Sequence, residues 1–310
     1  MKVLDRSQWR GLVRVLGLSL LMAGANAPGV ASATPTDKTS NWQPAIAAFN
    51  GTLYLAYTGL DGRLNVASST DGQTFGASTI IPNNTSAVGP GLAAFNGNLY
   101  IAWAATDGRR TINIMRSADG VTWGNKQLFG SEASRGNPAL AGSSSQLLIA
   151  WNGTDSGRSL NIGCIVCLNA PYGTKVTYAG ASSDYGVGLA AINENFFIAH
   201  RDRFASAGIV VAGSPWYDPL TVVSSTSVGT AIRGPGITGT GGFAYVGWVG
   251  SANFLNGATF QISGTTATPV SNIFLGPETS DTNPALAYFN GHVYYVWLGG
   301  DRRINITQVL

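Results

Sequence analysis

Residues 44–76 read PAIAAFNGTLYLAYTGLDGRLNVASSTDGQTFG, and residues 90–124 read PGLAAFNGNLYIAWAATDGRRTINIMRSADGVTWG. The two stretches match almost position for position, so the chain repeats. Residues 138–162 (PALAGSSSQLLIAWNGTDSGRSLNI) and 284–310 (PALAYFNGHVYYVWLGGDRRINITQVL) carry the same pattern. Weaker copies lie at 187–203 (VGLAAINENFFIAHRDR) and 235–250 (PGITGTGGFAYVGWVG). Aligned on Pro44, Pro90, Pro138, Val187, Pro235 and Pro284, the copies are 46, 48, 49, 48 and 49 residues apart. A period of roughly 40–50 residues holding four short strands is the spacing of β-propeller blades.

Each repeat reads as strands A to D. Strand A is short and rich in Ala and Gly (Ala45, Ala47, Ala48; Gly91, Ala93, Ala94), as the crowded axis of a propeller requires. Asn50-Gly51 and Asn96-Gly97 are hairpin turns. They lead into a strand B that alternates cleanly, as in Leu53-Tyr54-Leu55-Ala56-Tyr57. Strand C is Leu64–Ser68 or Thr111–Arg116, and strand D is the more variable stretch after it. The last repeat stops after strand C, and the shared Thr-Ser-x-x-x-Pro shows where its strand D comes from. Thr39-Ser40 precedes Pro44 as Thr85-Ser86 precedes Pro90 and Thr279-Ser280 precedes Pro284. Thr34–Ser40 therefore stands where a D strand should, and pairing it with the last blade removes two open sheet edges. The expected architecture is all-β: a six-bladed β-propeller of four-stranded blades over residues 34–310, its last blade closed by the N-terminal strand. The alternative is an open solenoid with an unpaired N-terminal tail.

Residues 1–33 read as a signal peptide. Lys2, Arg6, Arg10 and Arg14 precede the apolar run Val15–Ala23, which is too short to span a bilayer. Ala31-Ser32-Ala33 is the better of two small-x-small sites, because Pro28 follows Ala25-Asn26-Ala27 directly. The mature protein is then expected outside the cytoplasm, extracellular or periplasmic, with no membrane span. The whole chain is +3, but the leader holds four of its 18 Lys and Arg and one of its 15 Asp and Glu. The remainder carries 14 of each, so no basic patch for a nucleic-acid backbone is implied.

Two repeats carry Ser-x-Asp-Gly-x-Thr-aromatic at the C–D turn. These are Ser69, Asp71, Gly72, Thr74 and Phe75 in the first, and Ser117, Asp119, Gly120, Thr122 and Trp123 in the second. Asp accepts hydrogen bonds from turn amides, Gly permits positive φ, and the aromatic packs between sheets. The motif resembles a short form of the Asp box of the sialidase-like propeller superfamily. The resemblance extends over the repeat pattern of residues 34–310, with the box itself present twice. It implies the six-bladed fold, with the box as a structural element on the face away from the ligand. Enzymes of that superfamily bind a substrate carboxylate with three arginines, and use a Tyr–Glu nucleophile pair and an Asp acid/base. They usually carry Arg-Ile-Pro near the N-terminus, which is absent here. Residues 34–310 contain three Glu. Glu194 is expected in an A–B turn on the face away from the ligand. Glu132 and Glu278 are expected in D–A connections on the ligand face, without an identifiable Tyr partner.

In a propeller the B–C turns and D–A connections share one face, where ligands commonly bind. Here the end of strand B and the B–C turn repeat an aromatic, then Asp, Arg and Asn. The sets are Tyr57, Asp61, Arg63 and Asn65; Trp103, Asp107, Arg109 and Asn113; Trp151, Asp155, Arg158 and Asn161; and Trp297, Asp301, Arg302 and Asn305. The fourth repeat departs (His200, Arg201, Asp202, Arg203), and the fifth keeps Trp248. Of 11 Arg after residue 33, Arg116 alone falls outside the B–C and D–A regions. Aromatic faces stack on the C–H side of a pyranose, Asp and Asn bond hydroxyls, and Arg binds a carboxylate bidentately. The structural reading of the same set is Asp–Arg turn chemistry with aromatics packed between blades.

Three functions follow. The first is a secreted carbohydrate-binding, lectin-like propeller whose partners are glycans or glycoconjugates, with multivalent sites on the B–C face. The second is a glycoside hydrolase of the sialidase-like clan, with Arg135, Arg233 and Glu278 as first suspects but no catalytic set identified. The third is a protein-interaction propeller. No cofactor is expected. No metal is expected either: His200 and His292 lie in different repeats from each other and from the C-x-x-C. Cys164 and Cys167 are three apart in a strand and point to opposite faces, so a disulfide between them needs a bulge or turn.

Overall fold

The computed structural model of the chain describes residues 32–203, 207–215, 218–222 and 224–309. The leader reading falls almost wholly outside them. The described residues form six four-stranded antiparallel sheets. Blade 1 is β2 (Ala45–Phe49), β3 (Thr52–Thr58), β4 (Arg63–Ser69) and β5 (Thr79–Thr85). Blade 2 is β6 (Gly91–Phe95), β7 (Asn98–Ala104), β8 (Thr111–Ser117) and β9 (Gly124–Ala133). Blade 3 is β10 (Ala139–Gly142), β11 (Leu147–Asn152), β12 (Ser159–Val166) and β13 (Lys175–Ser182). Blade 4 is β14 (Gly188–Ile192), β15 (Asn195–Arg201), β16 (Gly208–Ser214) and β17 (Ser224–Thr230). Blade 5 is β18 (Gly236–Thr240), β19 (Phe243–Val249), β20 (Phe254–Ser263) and β21 (Thr266–Thr279). Blade 6 is β22 (Ala285–Phe289), β23 (His292–Leu298), β24 (Arg303–Val309) and, as its outermost strand, β1 (Thr34–Thr39).

β1 pairs antiparallel with β24, Thr34 opposite Ile306 and Thr39 opposite Arg303, so the expected closure of the ring is found. Thr36 Oγ1 adds a buried bond to the Ile304 carbonyl at 2.7 Å. The serine of the Thr-Ser-x-x-x-Pro signature explains its recurrence. The Ser40, Ser86, Ser134 and Ser280 hydroxyls each donate to the carbonyl ending their blade's strand B, namely Thr58, Ala104, Asn152 and Leu298. Each also bonds the carbonyl two residues on, which sets the angle at which the chain turns onto the axis.

The core is divided among the blade interfaces. Six apolar clusters form, one between each neighbouring pair of blades. Each alternate residue of strand B contributes to the cluster with the preceding blade. Leu53, Leu55 and Tyr57 face blade 6, and Leu99, Ile101 and Trp103 face blade 1. Burial is the main favourable term here, at roughly 25 cal/mol per Å² of apolar surface. On the axis the A strands crowd, and a Cβ at Gly91 would overlap the Pro138 carbonyl.

The C-x-x-C pair is bridged. The register of β11 against β12 slips between Leu147 opposite Val166 and Leu148 opposite Cys164, leaving Ile165 as the extra residue. That bulge turns Cys164 and Cys167 toward one another, with Cα atoms 5.8 Å apart.

Candidate functional site

The strand-B aromatics are core residues. Trp103, Trp151 and Trp297 are at most 1% exposed, and Tyr57 is 6% exposed. Trp151 meets Phe129 of blade 2 edge-on at 5.4 Å, and Lys126 sits 5.3 Å from the Trp103 ring centre. Their reading as sugar platforms is therefore corrected: each continues the alternating row that faces the preceding blade, and the pleat places its ring between sheets. His200, the blade 4 counterpart, is likewise buried and edge-on to Tyr178. Its pKa is lowered by desolvation in that setting.

The polar members of the repeated set build the B–C turns. Asp61 accepts the Arg63 N–H at 3.0 Å and its guanidinium Nε at 2.5 Å. Asp107 accepts the Thr111 N–H, Asp155 the Ser159 N–H and hydroxyl, and Asp301 the Arg303 N–H. Asn65, Asn113, Asn161 and Asn305 each donate to the carbonyl two residues earlier, at 2.9 to 3.1 Å. Arg63, Arg109 and Arg302 stay exposed on the rim. Arg302 bonds Asn41 Oδ1 at 3.1 Å, while Arg158 turns inward to pair with Asp184.

The same face holds a cavity on the axis that the repeated set does not line. Its volume is about 230 Å³, and the D–A connections of several blades build it. Of the residues immediately before the anchor positions (Gln43, Gly89, Asn137, Gly186, Gly234 and Asn283), Gln43, Asn137, Gly186 and Asn283 line it. Three amides share this ring with three glycines, which leave the room the amides need. A Cβ at Gly234 would overlap the Gly186 carbonyl and crowd the Asn283 amide at 2.8 Å. Asn283 Oδ1 accepts the Gly234 N–H at 2.7 Å. Asn137 is 7% exposed, and its Nδ2 has no partner among the described residues; Gln43 Oε1 is likewise buried without one among them. Such groups are costly unless something bonds them.

Trp42, 40% exposed, and half-buried Tyr185 stand in the cavity wall with Arg135 and Arg233. The Arg201 and Arg233 guanidinium carbons lie 5.4 and 5.5 Å from the Tyr185 ring centre. Arg233 Nε is fixed by the Asp281 carbonyl at 2.9 Å. The Arg135 side chain is exposed and has no partner among the described residues. The lining carboxylates are Asp184 and Asp281. Asp184 is committed to Arg158 and to Arg203 at 3.4 Å. Basic side chains thus outnumber free carboxylates around this mouth, which favours an anionic or hydroxyl-rich guest.

Two expected positions are corrected. Glu132 and Glu278 lie inside β9 and β21 rather than in D–A connections, and neither lines the cavity. Glu132 pairs with Lys175 at 2.7 Å. Glu194 sits on the opposite face as expected, accepting the Ser144 N–H and hydroxyl. Arg135 and Arg233 were legible as suspects. Trp42, Tyr185 and the floor amides stand in the two columns before each anchor, and the difference between copies there is the sequence signal for them.

No family model and no curated protein matches the chain. Solved structures do. A protein of unknown function from Dyadobacter fermentans superposes with a TM-score of 0.67 at 13% identity, over 92% of this chain and 99% of that one. The Aleuria aurantia lectin in complex with Fucα1-6GlcNAc gives 0.63 at 16% identity, over 88% and 93%. The Trypanosoma rangeli sialidase gives 0.60 at 14% identity, over 92% of this chain and 60% of its own. At these identities the likeness is one of fold.

Proposed function

We propose that this chain is a carbohydrate-binding propeller whose ligand sits in the axial cavity on the face of the D–A connections. The observation that carries the reading is the unpartnered Asn137 amide at the floor of a cavity walled by exposed Trp42. A pyranose supplies both missing halves, with hydroxyls for the amides and a C–H face for the indole. The Arg135 fork adds a directional donor for a hydroxyl or carboxylate. The fold likeness to a lectin with a bound fucosyl disaccharide supports the reading without naming the sugar. The exposed rim arginines Arg63, Arg109 and Arg302 are placed to meet the outer units of a longer glycan. We further read the chain as exported. The basic-apolar leader supports this, as does the bridged Cys164–Cys167 pair, which persists in oxidising compartments.

The test is a glycan array with the full chain, followed by titration of the best ligand. Trp42→Ala is expected to weaken binding about tenfold, the scale of losing a stacked aromatic contact. Binding that survives both Trp42→Ala and Arg135→Ala sinks the axial site. The fold likeness to a sialidase and the two carboxylates in the cavity wall keep a glycoside hydrolase as the second reading. It requires turnover of a chromogenic glycoside that is lost on Asp281→Asn. A blank array together with capture of a protein partner through the same face would favour an interaction platform.

A further inference from the structure

On the opposite face, one blade interface differs from its neighbours. Where blade 6 meets blade 1, the Tyr294 hydroxyl donates to the Asp71 carbonyl of the C–D turn at 3.4 Å. Where blade 1 meets blade 2, Tyr54 does the same to Asp119 at 3.1 Å. Gly72 and Gly120 press against those two rings, leaving no room for a Cβ. Tyr100 stands at the corresponding position of blade 2, but the turn it faces is built differently. Blade 3 has no Ser-x-Asp-Gly there. It has the Ile165 bulge, the disulfide and a longer loop through Tyr172. The space that a turn fills at the other two interfaces is here a groove of about 230 Å³.

We propose that this groove between blades 2 and 3 is a second ligand site, for a single saccharide ring carrying a carboxylate. Besides Tyr172, four polar side chains line it: Tyr100, Arg116, Asn125 and Gln127. None of these four side chains makes a hydrogen bond or ion pair among the described residues, and the Tyr100 ring packs on Phe95 at 6.2 Å. The ladder gathers them, since Tyr100 lies opposite Arg116 in β7–β8, and Arg116 opposite Gly124 in β8–β9. Directly opposed residues project from the same face of a sheet. Arg116 is also the one arginine outside the array on the other face.

Tyr172 supplies the platform. It is 41% exposed, yet its hydroxyl is anchored on the Leu128 carbonyl at 2.7 Å and its ring is edge-on to Phe129 at 5.6 Å. A ring held this way costs little further ordering when a sugar stacks on it. The amides of Asn125 and Gln127 both donate and accept, as vicinal hydroxyls require. The Arg116 fork lacks a counter-ion, and a carboxylate fits it bidentately. The volume falls below the roughly 300–1,000 Å³ of sites for drug-sized molecules, so one ring is the right size.

The test uses the full chain carrying Trp42→Ala and Arg135→Ala, which disables the axial cavity. Methyl glucuronide and methyl galacturonide are the probes, and methyl glucoside and methyl galactoside are the neutral controls, each titrated by calorimetry. At least one uronide is expected to bind in the millimolar range, and the neutral sugars about tenfold or more weaker, the scale of a charge-assisted hydrogen bond. Adding Arg116→Gln to that background should abolish the difference between acidic and neutral sugars. Arg116 is exposed, so an unchanged melting temperature checks that the fold is kept. Absence of uronide binding overturns the proposal, as does equal binding of acid and neutral sugars or binding indifferent to Arg116→Gln. Because the background lacks the axial site, failure here is distinct from failure there.

Discussion

Trp151 shows how one residue type serves two readings. At the end of strand B, beside Asp155 and Arg158, it has the company of a sugar-binding aromatic. In the structure its ring is fully buried against Phe129, and Gly163 is kept free of a side chain beside both rings. Trp151→Ala is therefore expected to cost about 3–5 kcal/mol of stability, as large-to-small core changes do. Urea unfolding of the purified variant measures this. A near-wild-type midpoint with lost glycan binding would restore the platform reading. Trp42, by contrast, is exposed, so its loss should appear in binding and leave the midpoint in place.

The elements are held by their turns, and the turns explain why so much of the fold was legible. Asn-Gly hairpins, the Ser before five of the six anchors and the Ser-x-Asp-Gly turns recur because the blades that carry them solve the same hydrogen-bonding problem. In the last of these, the Thr74 and Gln73 N–H groups and the Ser69 hydroxyl converge on Asp71 and hold its carboxyl well below the usual carboxylate range. Asp119 is held the same way by Thr122, Val121 and Ser117. A depressed folded value means the unfolded chain binds the proton first. The stabilisation is complete above the unfolded value of about 3.9 and is lost as pH falls through the folded one. Melting temperature is expected to hold down to about pH 5 and to fall below it. Asp71→Ala with Asp119→Ala should lower the neutral plateau and flatten the acid slope. An acid slope unchanged in that double variant would remove these turns from the account.

The disulfide was less legible, because strand periodicity places Cys164 and Cys167 on opposite faces. A single bulged residue, which leaves no mark in the alternation, brings them together. The axial cavity was less legible for a related reason. Columns that repeat report what the blades share, which is packing and turn chemistry. The axial cavity is lined where the copies differ, as Gln43, Asn137 and Asn283 differ from Gly89, Gly186 and Gly234 in the same column. Repetition therefore identified the scaffold, whereas the axial cavity is lined from columns that do not repeat.

At the scale of the whole molecule, stability depends on β1 meeting β24, which joins residues more than 260 positions apart. Deleting residues 34–39 leaves the outer edge of β24 open, and an open edge pairs with other chains. Such a truncation is expected to sediment as concentration-dependent oligomers, while the intact chain does not show that edge-driven association. A well-behaved truncated monomer would mean the last blade needs only three strands.

The same closure fixes which way the molecule faces. β24 starts at the B–C turn, on the side of the mouth, and runs away from it; β1 starts opposite Ile306, midway along β24, and runs back toward the mouth. Whatever is joined before Thr34 or after Val309 therefore leaves from the far side of the ring. A carrier, a surface or a second module attached at either end would display the axial cavity outward, and the groove beside Tyr172 would lie on the attached side.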